Sequence, residues 1–188
     1  GRRMKYKTSF TPKPMIILYG KPILEHIINN LRNSGFTNLI ITTHYLEHKI
    51  IKYFGDGRNF GVNIKYIKEK KPLGTAGSLY LLNNKDKLPL VVVNGDTVTD
   101  VNFKSLINYH KKNSSDFTIV TNLERKKRQI GVIETKSNRV VNIIEKPIVM
   151  TKINTGIYVM NRQILKLVKK NTFLNMTDLI KKIIKNKK

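Results

Sequence analysis

Cysteine and tryptophan are both absent from this chain of 188 residues. The lack of cysteine excludes disulfide bonds, thiolate metal sites and a thiol nucleophile, and it is compatible with a reducing compartment. Long apolar runs are also missing, so neither a bilayer-spanning helix nor a signal peptide is indicated. We therefore expect a cytoplasmic protein without a membrane partner.

Acidic residues are scarce, with 12 Asp and Glu against 36 Lys and Arg, giving a formal net charge of +24. A basic domain can bind the phosphate backbone of a nucleic acid. Alternatively, the lysines are spread over a solvated surface as part of a general Lys, Asn and Ile bias. Because the basic clusters at 68–71, 126–128 and 181–188 are short, we favour the second interpretation, with small phosphate compounds as additional candidates.

What is present is a globular pattern, since 40% of the residues are hydrophobic. Strand-like runs alternate with amphipathic helical ones, which predicts an α/β fold with a mixed, mostly parallel sheet covered on both faces. No repeat or linker interrupts the pattern, so one domain is predicted over 1–188. The predicted helices are 22–34, 46–54, 101–112, 164–169 and 178–185, and the predicted strands are 38–43, 62–67, 88–96, 117–121, 131–135, 139–144 and 153–160.

The run Val-Val-Val-Asn-Gly-Asp at 91–96 combines a β-branched strand with a polar end. In open α/β sheets, ligands bind at the carboxyl edge, and a carboxylate such as Asp96 there suits Mg²⁺. Asn-Gly and Gly-Asp are also common turn formers. The residues alone leave a magnesium site and a plain turn equally open.

Two further segments carry glycine or charge where a ligand could bind. Pro-Leu-Gly-Thr-Ala-Gly at 72–77 predicts a loop that opens a helix, where Gly74 and Gly77 would let a ligand approach the backbone. A purely structural turn explains this loop equally well. Glu145-Lys146-Pro147 could bind sugar hydroxyls and a phosphate, although a surface ion pair is the simpler interpretation.

Two lysine–proline pairs, Lys13-Pro14 and Lys21-Pro22, lie just ahead of the first predicted helix. Proline fixes φ, so each pair restrains the backbone that carries a lysine, which suggests an anion site. The four histidines have no acidic or cysteine partner pattern, and we interpret them as structural or surface residues. No phosphate-binding P-loop, nucleophile elbow or zinc-protease motif is present.

The order of these segments is more specific than any one of them. It runs Pro-Lys-Pro-Met (12–15), Gly-Lys-Pro-Ile-Leu-Glu-His-Ile-Ile (20–28), Tyr-Phe-Gly-Asp-Gly (53–57), Pro-Leu-Gly-Thr-Ala-Gly (72–77), Asn-Gly-Asp (94–96), Glu-Lys-Pro (145–147) and Asn-x-Gly-Ile-Tyr (154–158). This series resembles the sugar-1-phosphate nucleotidylyltransferases over residues 1 to about 184. It looks most similar to the mannose-1-phosphate guanylyltransferase-like branch.

The resemblance implies a Rossmann-like nucleotidyltransferase fold, a GT-A-like three-layer sandwich. It implies that an NTP, GTP being favoured, reacts with a sugar 1-phosphate in the presence of Mg²⁺ to give an NDP-sugar and pyrophosphate for surface-glycan synthesis. Thymidylyl, uridylyl and cytidylyl transfer are alternatives within the same family. A homo-oligomer is also possible, and no specific nucleic-acid partner is implied.

The resemblance also implies roles for particular residues. Arg3, Lys13 and Asp96 match catalytic positions, and Asp96 matches the metal ligand. The implied nucleotide-binding residues are Gly1, Lys13, Gly74, Thr75, Ala76, Gly77, Asn94 and Gly95, and the implied sugar-phosphate-binding residues are Glu145, Lys146, Asn154 and Gly156.

Relative to the family pattern, the first strand with its glycines and the closing strand with a Trp-x-Asp-x-Gly segment are not in this sequence. The expectation is therefore a chain truncated at both ends, which is a fragment, a truncated gene product or a degenerate relative of such an enzyme. A non-catalytic nucleotide-binding or sugar-phosphate-binding module is the alternative within the same fold. A basic nucleic-acid-binding domain is the alternative outside it, motivated only by the charge.

Overall fold

The computed structural model describes residues 10–82 and 88–186. The chain divides into two compact units, which we call the main unit (Gly1–Thr118 with Ile157–Lys188) and the hairpin unit (Ile119–Gly156). The single domain over 1–188 stays a prediction. Gly1 and Arg3, to which nucleotide-binding and catalytic roles were assigned, lie outside the described residues.

The observed elements follow the predicted alternation. The helices are α1 (Ile23–Asn33), α2 (Glu47–Phe54), α3 (Gly74–Gly77), α4 (Phe103–Lys112) and α5 (Met176–Asn186). The strands are β1 (Ile17–Leu18), β2 (Lys21–Pro22), β3 (Asn38–Thr43), β4 (Asn63–Lys68), β5 (Leu90–Val93), β6 (Phe117–Lys127), β7 (Val132–Lys136), β8 (Arg139–Ile144) and β9 (Ile148–Met160). The predicted helix at 164–169 is instead a 3₁₀ segment, Arg162–Leu167.

Strand pairing is mixed, which confirms the predicted mixed α/β fold. Strands β3 and β4 are parallel, with Asn38 opposite Asn63. Strand β9 lies between β5 and β6, and it pairs with β5 in antiparallel register, Val93 lying opposite Ile157. Strands β1 and β2, and likewise β7 and β8, form antiparallel pairs.

Strand β5 is covered on both of its faces. Leu90 and Val92 pack against one core, which contains buried residues of α3, α5 and the end of β9. Val93 packs against a second core, formed by buried residues of α1, α2 and β4. Because side chains alternate between the two faces of a strand, this contact pattern places β5 in the middle layer of three.

Helix α1 forms where the sequence repeats apolar residues at helical spacing. Leu24, Ile27 and Ile28 are buried on one face. The helix ends at Asn33, and Gly35, two residues later, has a φ of +89° that is costly for other residues. The predicted boundaries of 22–34 therefore agree with the observed helix to within one residue at each end.

The hairpin unit contains the β7–β8 ladder, with Val132 opposite Ile144. Ser137 and Asn138, in the connecting turn, both have positive φ, a backbone conformation typical of tight hairpins. The predicted hairpin through Lys-Ser-Asn is therefore confirmed. In the part of the chain that the structure describes, no helix is long and apolar enough to cross a membrane.

Candidate active site

Asp96 lies in the turn that follows the carboxyl end of β5. The strand ends at Val93, and the N–H of Thr97 donates to the carbonyl of Asn94 over 3.0 Å, which closes the turn. The side chain of Asp96 is 31% exposed, so it is accessible to a small ligand. This is the edge at which open α/β sheets bind ligands.

Lys13 begins a 3₁₀ turn, Lys13–Met15, that holds its backbone in place. The N–H of Met15 donates to the carbonyl of Pro12 over 2.8 Å, and Pro12 itself is buried. Met15 packs against the core shared by α1, α2 and β4. The prediction of a restrained lysine ahead of the first helix therefore agrees with the structure.

The Nζ atom of Lys13 forms an ion pair with the Oδ2 atom of Asp96, although the two residues are 83 positions apart in the sequence. Gly95 allows this approach, because a Cβ atom added there would lie 3.2 Å from Cγ of Pro14. The structure thus brings together two of the three residues assigned to catalysis. Asn94 and Gly95, assigned to nucleotide binding, form the turn beside them.

Side chains of α1 and α2 hold the loop that carries Lys13. Nε2 of His26 lies 2.7 Å from the carbonyl oxygen of Leu18. In addition, the backbone N–H of Ile23 donates to the carbonyl of Ile16 over 3.0 Å. Lys49 donates to the carbonyl of Phe10 from α2. His26 therefore has the structural role that the sequence analysis gave it.

A buried carboxylate at the start of α1 gives the second lysine–proline pair a structural function. Glu25 accepts hydrogen bonds from Lys21 over 3.0 Å and from the hydroxyl of Tyr53 over 2.8 Å. Burial alone would raise the pKa of Glu25, but the hydrogen bonds and the charge of Lys21 outweigh it and hold the pKa below its ordinary value. The hydrogen bond that Tyr53 donates to Glu25 also raises the pKa of Tyr53.

The glycine loop at α3 packs against the chain's own segment 172–176. A Cβ atom added at Gly74 would lie 2.6 Å from the carbonyl oxygen of Leu174, and one added at Gly77 would lie 2.7 Å from that of Thr172. The close approach that the sequence analysis assigned to a ligand is therefore made here by the polypeptide itself. Both glycines are required by this packing, whatever else the loop binds.

The polar groups of the same loop are also engaged internally. The N–H groups of Ala76 and Gly77 donate to the carbonyl of Leu174 over 2.9 and 3.0 Å. The hydroxyl of Thr75 accepts from the N–H of Met176 over 2.8 Å, which caps the start of α5. These two amides, which were expected to favour a negative group, are already satisfied by Leu174.

Sequence reasoning missed a polar network at the carboxyl ends of β3 and β4. Glu47 accepts hydrogen bonds from Lys68 and from Thr43, the last residue of β3. The pKa of Glu47 is lowered, chiefly by the hydrogen bond from Lys68. Next to Lys68, Glu69 accepts from the N–H of Leu73 over 3.0 Å and so orders the start of the glycine loop. The signal that could have found these residues is their position directly at or after two predicted strands.

The remaining assigned residues lie in the hairpin unit. Lys146 has a φ of +48°, and its Nζ atom lies 3.9 Å from the carboxylate of Glu145. Oδ1 of Asn154 accepts from the N–H of Gly156 over 3.0 Å, and Gly156 has a φ of +81°. Within β9, Asn154 and Gly156 therefore form a local polar turn.

The donor set around Asp96 fits Mg²⁺ in one specific way. Among the described residues, no group of three or more His, Asp or Glu side chains could hold a metal ion. Mg²⁺ is commonly held by one or two carboxylates together with substrate phosphates and water. Asp96 is suited to this shared kind of site and not to an all-protein one.

Comparison with known proteins identifies the class that this fold and site define. A family model described as nucleotidyl transferase matches residues 1–188, and the chain belongs to that family. The predicted family membership is thereby confirmed.

Among curated relatives, the chain is 32% identical over 176 residues to the mannose-1-phosphate guanyltransferase of Yarrowia lipolytica. The match covers 89% of this chain and 48% of that protein. The beta-A mannose-1-phosphate guanyltransferase of Xenopus laevis is also 32% identical, over 173 residues. The chain spans about half the length of the curated relatives that it matches.

Solved structures show the same fold. HddC from Yersinia pseudotuberculosis superposes with a TM-score of 0.67 at 26% identity, covering 86% of this chain and 72% of that one. A Bacillus anthracis protein provisionally assigned as a glucose-1-phosphate thymidylyltransferase superposes with a TM-score of 0.77 at 20% identity, covering 98% and 79%. The second similarity supports the Rossmann-like fold alone.

Proposed function

We propose that the protein transfers a nucleotidyl group from an NTP, preferentially GTP, to a sugar 1-phosphate, releasing pyrophosphate. The observation that carries this proposal is the pairing of Lys13 with Asp96 in the turn after the middle strand β5. The names of the curated relatives support the sugar phosphate and the guanine nucleotide. We further propose that the product serves surface-glycan synthesis in the cytoplasm.

The chemistry requires two anions to meet, and the proposed residues act on their charge. A phosphate oxygen of the sugar 1-phosphate forms a bond to the α-phosphorus of the NTP, and the bond to the pyrophosphate oxygen breaks. No protein nucleophile takes part. Catalysis therefore depends on alignment and on neutralising charge.

Lys13 would supply a positive charge for the triphosphate from a restrained backbone, and Arg3 is proposed as a second one. Asp96 would hold Mg²⁺ through its carboxylate, with nucleotide phosphates completing the coordination. The ion, when bound, neutralises developing charge on the phosphates. Asp96 is negative and would repel a phosphate by itself, so its contribution depends on what cation it holds.

The other assigned residues are proposed to select the substrates. Gly74, Thr75, Ala76 and Gly77 would contact base and ribose from a loop whose backbone is fixed by Leu174. Gly1, Asn94 and Gly95 would complete the nucleotide site. Glu145 and Lys146 would bind sugar hydroxyls and the sugar phosphate, and Asn154 and Gly156 would line the sugar pocket.

Pyrophosphate release tests the proposal. The chain is incubated with Mg²⁺, each of the four NTPs or dTTP, and a panel of sugar 1-phosphates, and GTP with a hexose 1-phosphate is expected to give the fastest release. Asp96→Asn and Lys13→Met should each reduce the rate by roughly a hundredfold. Asp100→Asn, which removes an exposed carboxylate from the same post-strand loop, is the matched control and should retain activity.

The outcomes separate the proposal from its alternative. Release that persists in both Asp96→Asn and Lys13→Met would refute the assigned roles. Nucleotide binding by calorimetry without any turnover would favour the hypothesis of a non-catalytic binding module. That hypothesis is motivated by the match covering only about half the length of the relatives.

A further inference from the structure

We propose that Asp96 makes the site selective for the metal-bound nucleotide. Its carboxylate stays paired with Lys13 until a metal ion takes the place of the lysine ammonium group. The inference rests on the proposed function and adds a second role for Asp96 beyond holding the ion. Asp96 would thus determine which form of the nucleotide binds.

Because Lys13 and Asp96 form an ion pair, the phosphate-binding role proposed for Lys13 and the metal-binding role proposed for Asp96 depend on each other. Lys13 contacts Asp96, so its positive charge is already compensated. A metal-free triphosphate entering here would meet this neutralised lysine and a nearby carboxylate. A metal-bound nucleotide instead offers Asp96 a new cation, and the lysine becomes available for the phosphates.

The local geometry allows the lysine to exchange partners without moving the loop. The backbone at Lys13 is fixed by buried Pro12 and by Pro14, which packs on Gly95. The lysine side chain is a flexible four-carbon stem with three rotatable N–H donors, so it can redirect its charge on its own. The Lys13 side chain is 39% exposed, and an ion pair at such a site is broken at low cost.

The protein ligands also indicate that the ion arrives with the nucleotide. No group of three or more candidate ligands could hold a metal among the residues that the structure describes. Mg²⁺ held by one carboxylate needs phosphate oxygens and water for its other positions. Exchange at Asp96 and binding of the triphosphate are therefore expected to occur together.

A measurement of GTP affinity with and without metal distinguishes this role from simple metal binding. In EDTA, Asp96→Asn should bind GTP about two- to fivefold more tightly than the wild type, because Lys13 is released. In Mg²⁺, the same variant should lose the gain in affinity that the wild type shows. Calorimetry measures both dissociation constants, and thermal melting checks that the variant is folded.

A double-mutant cycle excludes the simpler explanation that any lost negative charge favours GTP. In a Lys13→Met background, Asp96→Asn should no longer increase the affinity in EDTA. An increase that persists in that background would overturn the inference. Asp100→Asn is the matched control and should change the EDTA affinity by less than Asp96→Asn does.

A measurement on the unmodified chain keeps the test independent of the variants. The NMR signal of the Lys13 ammonium group should shift when GTP is added with Mg²⁺, and by much less when Mg²⁺ or GTP is added alone. Equal shifts with GTP and with Mg²⁺–GTP would contradict the inference. A wild type that binds no nucleotide under any condition refutes the proposed function and this inference together, whereas binding without a gain for Asp96→Asn refutes the inference alone.

Discussion

Two turns of the main unit contain glycine and were both assigned to nucleotide binding, yet the structure uses them differently. At Gly74–Gly77 the missing side chains make room for the backbone at Leu174, and two amides donate to its carbonyl. At Asn94–Asp96 the missing side chain of Gly95 makes room for Pro14, which brings Lys13 to Asp96.

This difference shows that a glycine in a motif can indicate a close approach without indicating what approaches. In the first turn the close approach stabilises the fold, because hydrogen bonds and packing are satisfied internally. In the second it places a cation and an anion together on a partly exposed edge. We therefore expect substitutions in the first turn to affect stability and those in the second to affect ligand binding.

The largest effect is expected for Gly74→Ala. An alanine there needs a positive φ and places Cβ 2.6 Å from a backbone oxygen, so the free energy of unfolding should fall by roughly 3 kcal/mol. Gly95→Ala is the matched control, since its nearest contact is a proline side chain at 3.2 Å, and it should cost about 1 kcal/mol or less. Urea unfolding measures both values, and equal losses would remove the proposed contrast between the turns.

Glu25→Gln tests the polar contacts that hold the second lysine–proline pair at the start of α1. Losing the charged acceptor of Lys21 and Tyr53 should cost about 2 kcal/mol at neutral pH. Because the pKa of Glu25 is lowered in the folded chain, its contribution is present above the ordinary value of 4.5 and is lost as the pH falls through the folded value.

The pH dependence of unfolding provides the control for that variant. The stability difference between wild type and Glu25→Gln should therefore shrink below about pH 4.5. A difference that stays constant from pH 7 to pH 3 would show that the charge of Glu25 is not what stabilises this region.

Thr75→Val should have a smaller effect, confined to the first turn. Valine keeps the shape but removes the hydroxyl that accepts from Met176, so the start of α5 loses its cap at a cost of about 1 kcal/mol. Thr75→Ser keeps the hydroxyl and should remain close to the wild type. Hydrogen exchange at the amide of Met176 reports the cap directly, and unchanged protection in Thr75→Val would contradict it.

Lys13→Met should have the smallest effect on stability, because a partly exposed ion pair contributes between zero and about 1 kcal/mol. Its effect on GTP affinity in Mg²⁺ should be much larger, since a charge that faces the phosphates is lost. Urea unfolding and calorimetry on the same variant test this split. A large loss of stability with unchanged GTP affinity would show that Lys13 stabilises the fold, as the residues of the first turn do, and does not bind the nucleotide.

Much of the main unit could be predicted from the sequence. The strand at 38–43 and the helix near 22–34 were recognised because apolar spacing and a helix-ending glycine act locally. The 3₁₀ segment at Arg162–Leu167 was not, because tertiary packing of Ile164 and Leu165 sets its geometry. Glu25 and Glu69 were missed as structural acceptors, since their partners depend on contacts that sequence spacing does not reveal.

The sequence by itself determined the α/β alternation, the restrained lysine and the carboxylate after the middle strand, because propensity, proline and turn chemistry act over a few residues. Only the tertiary structure decided that Lys13 meets Asp96 across 83 positions and that Leu174 fills the space above Gly74. Such contacts depend on how elements pack, and residues distant in sequence become neighbours only once the layers have assembled.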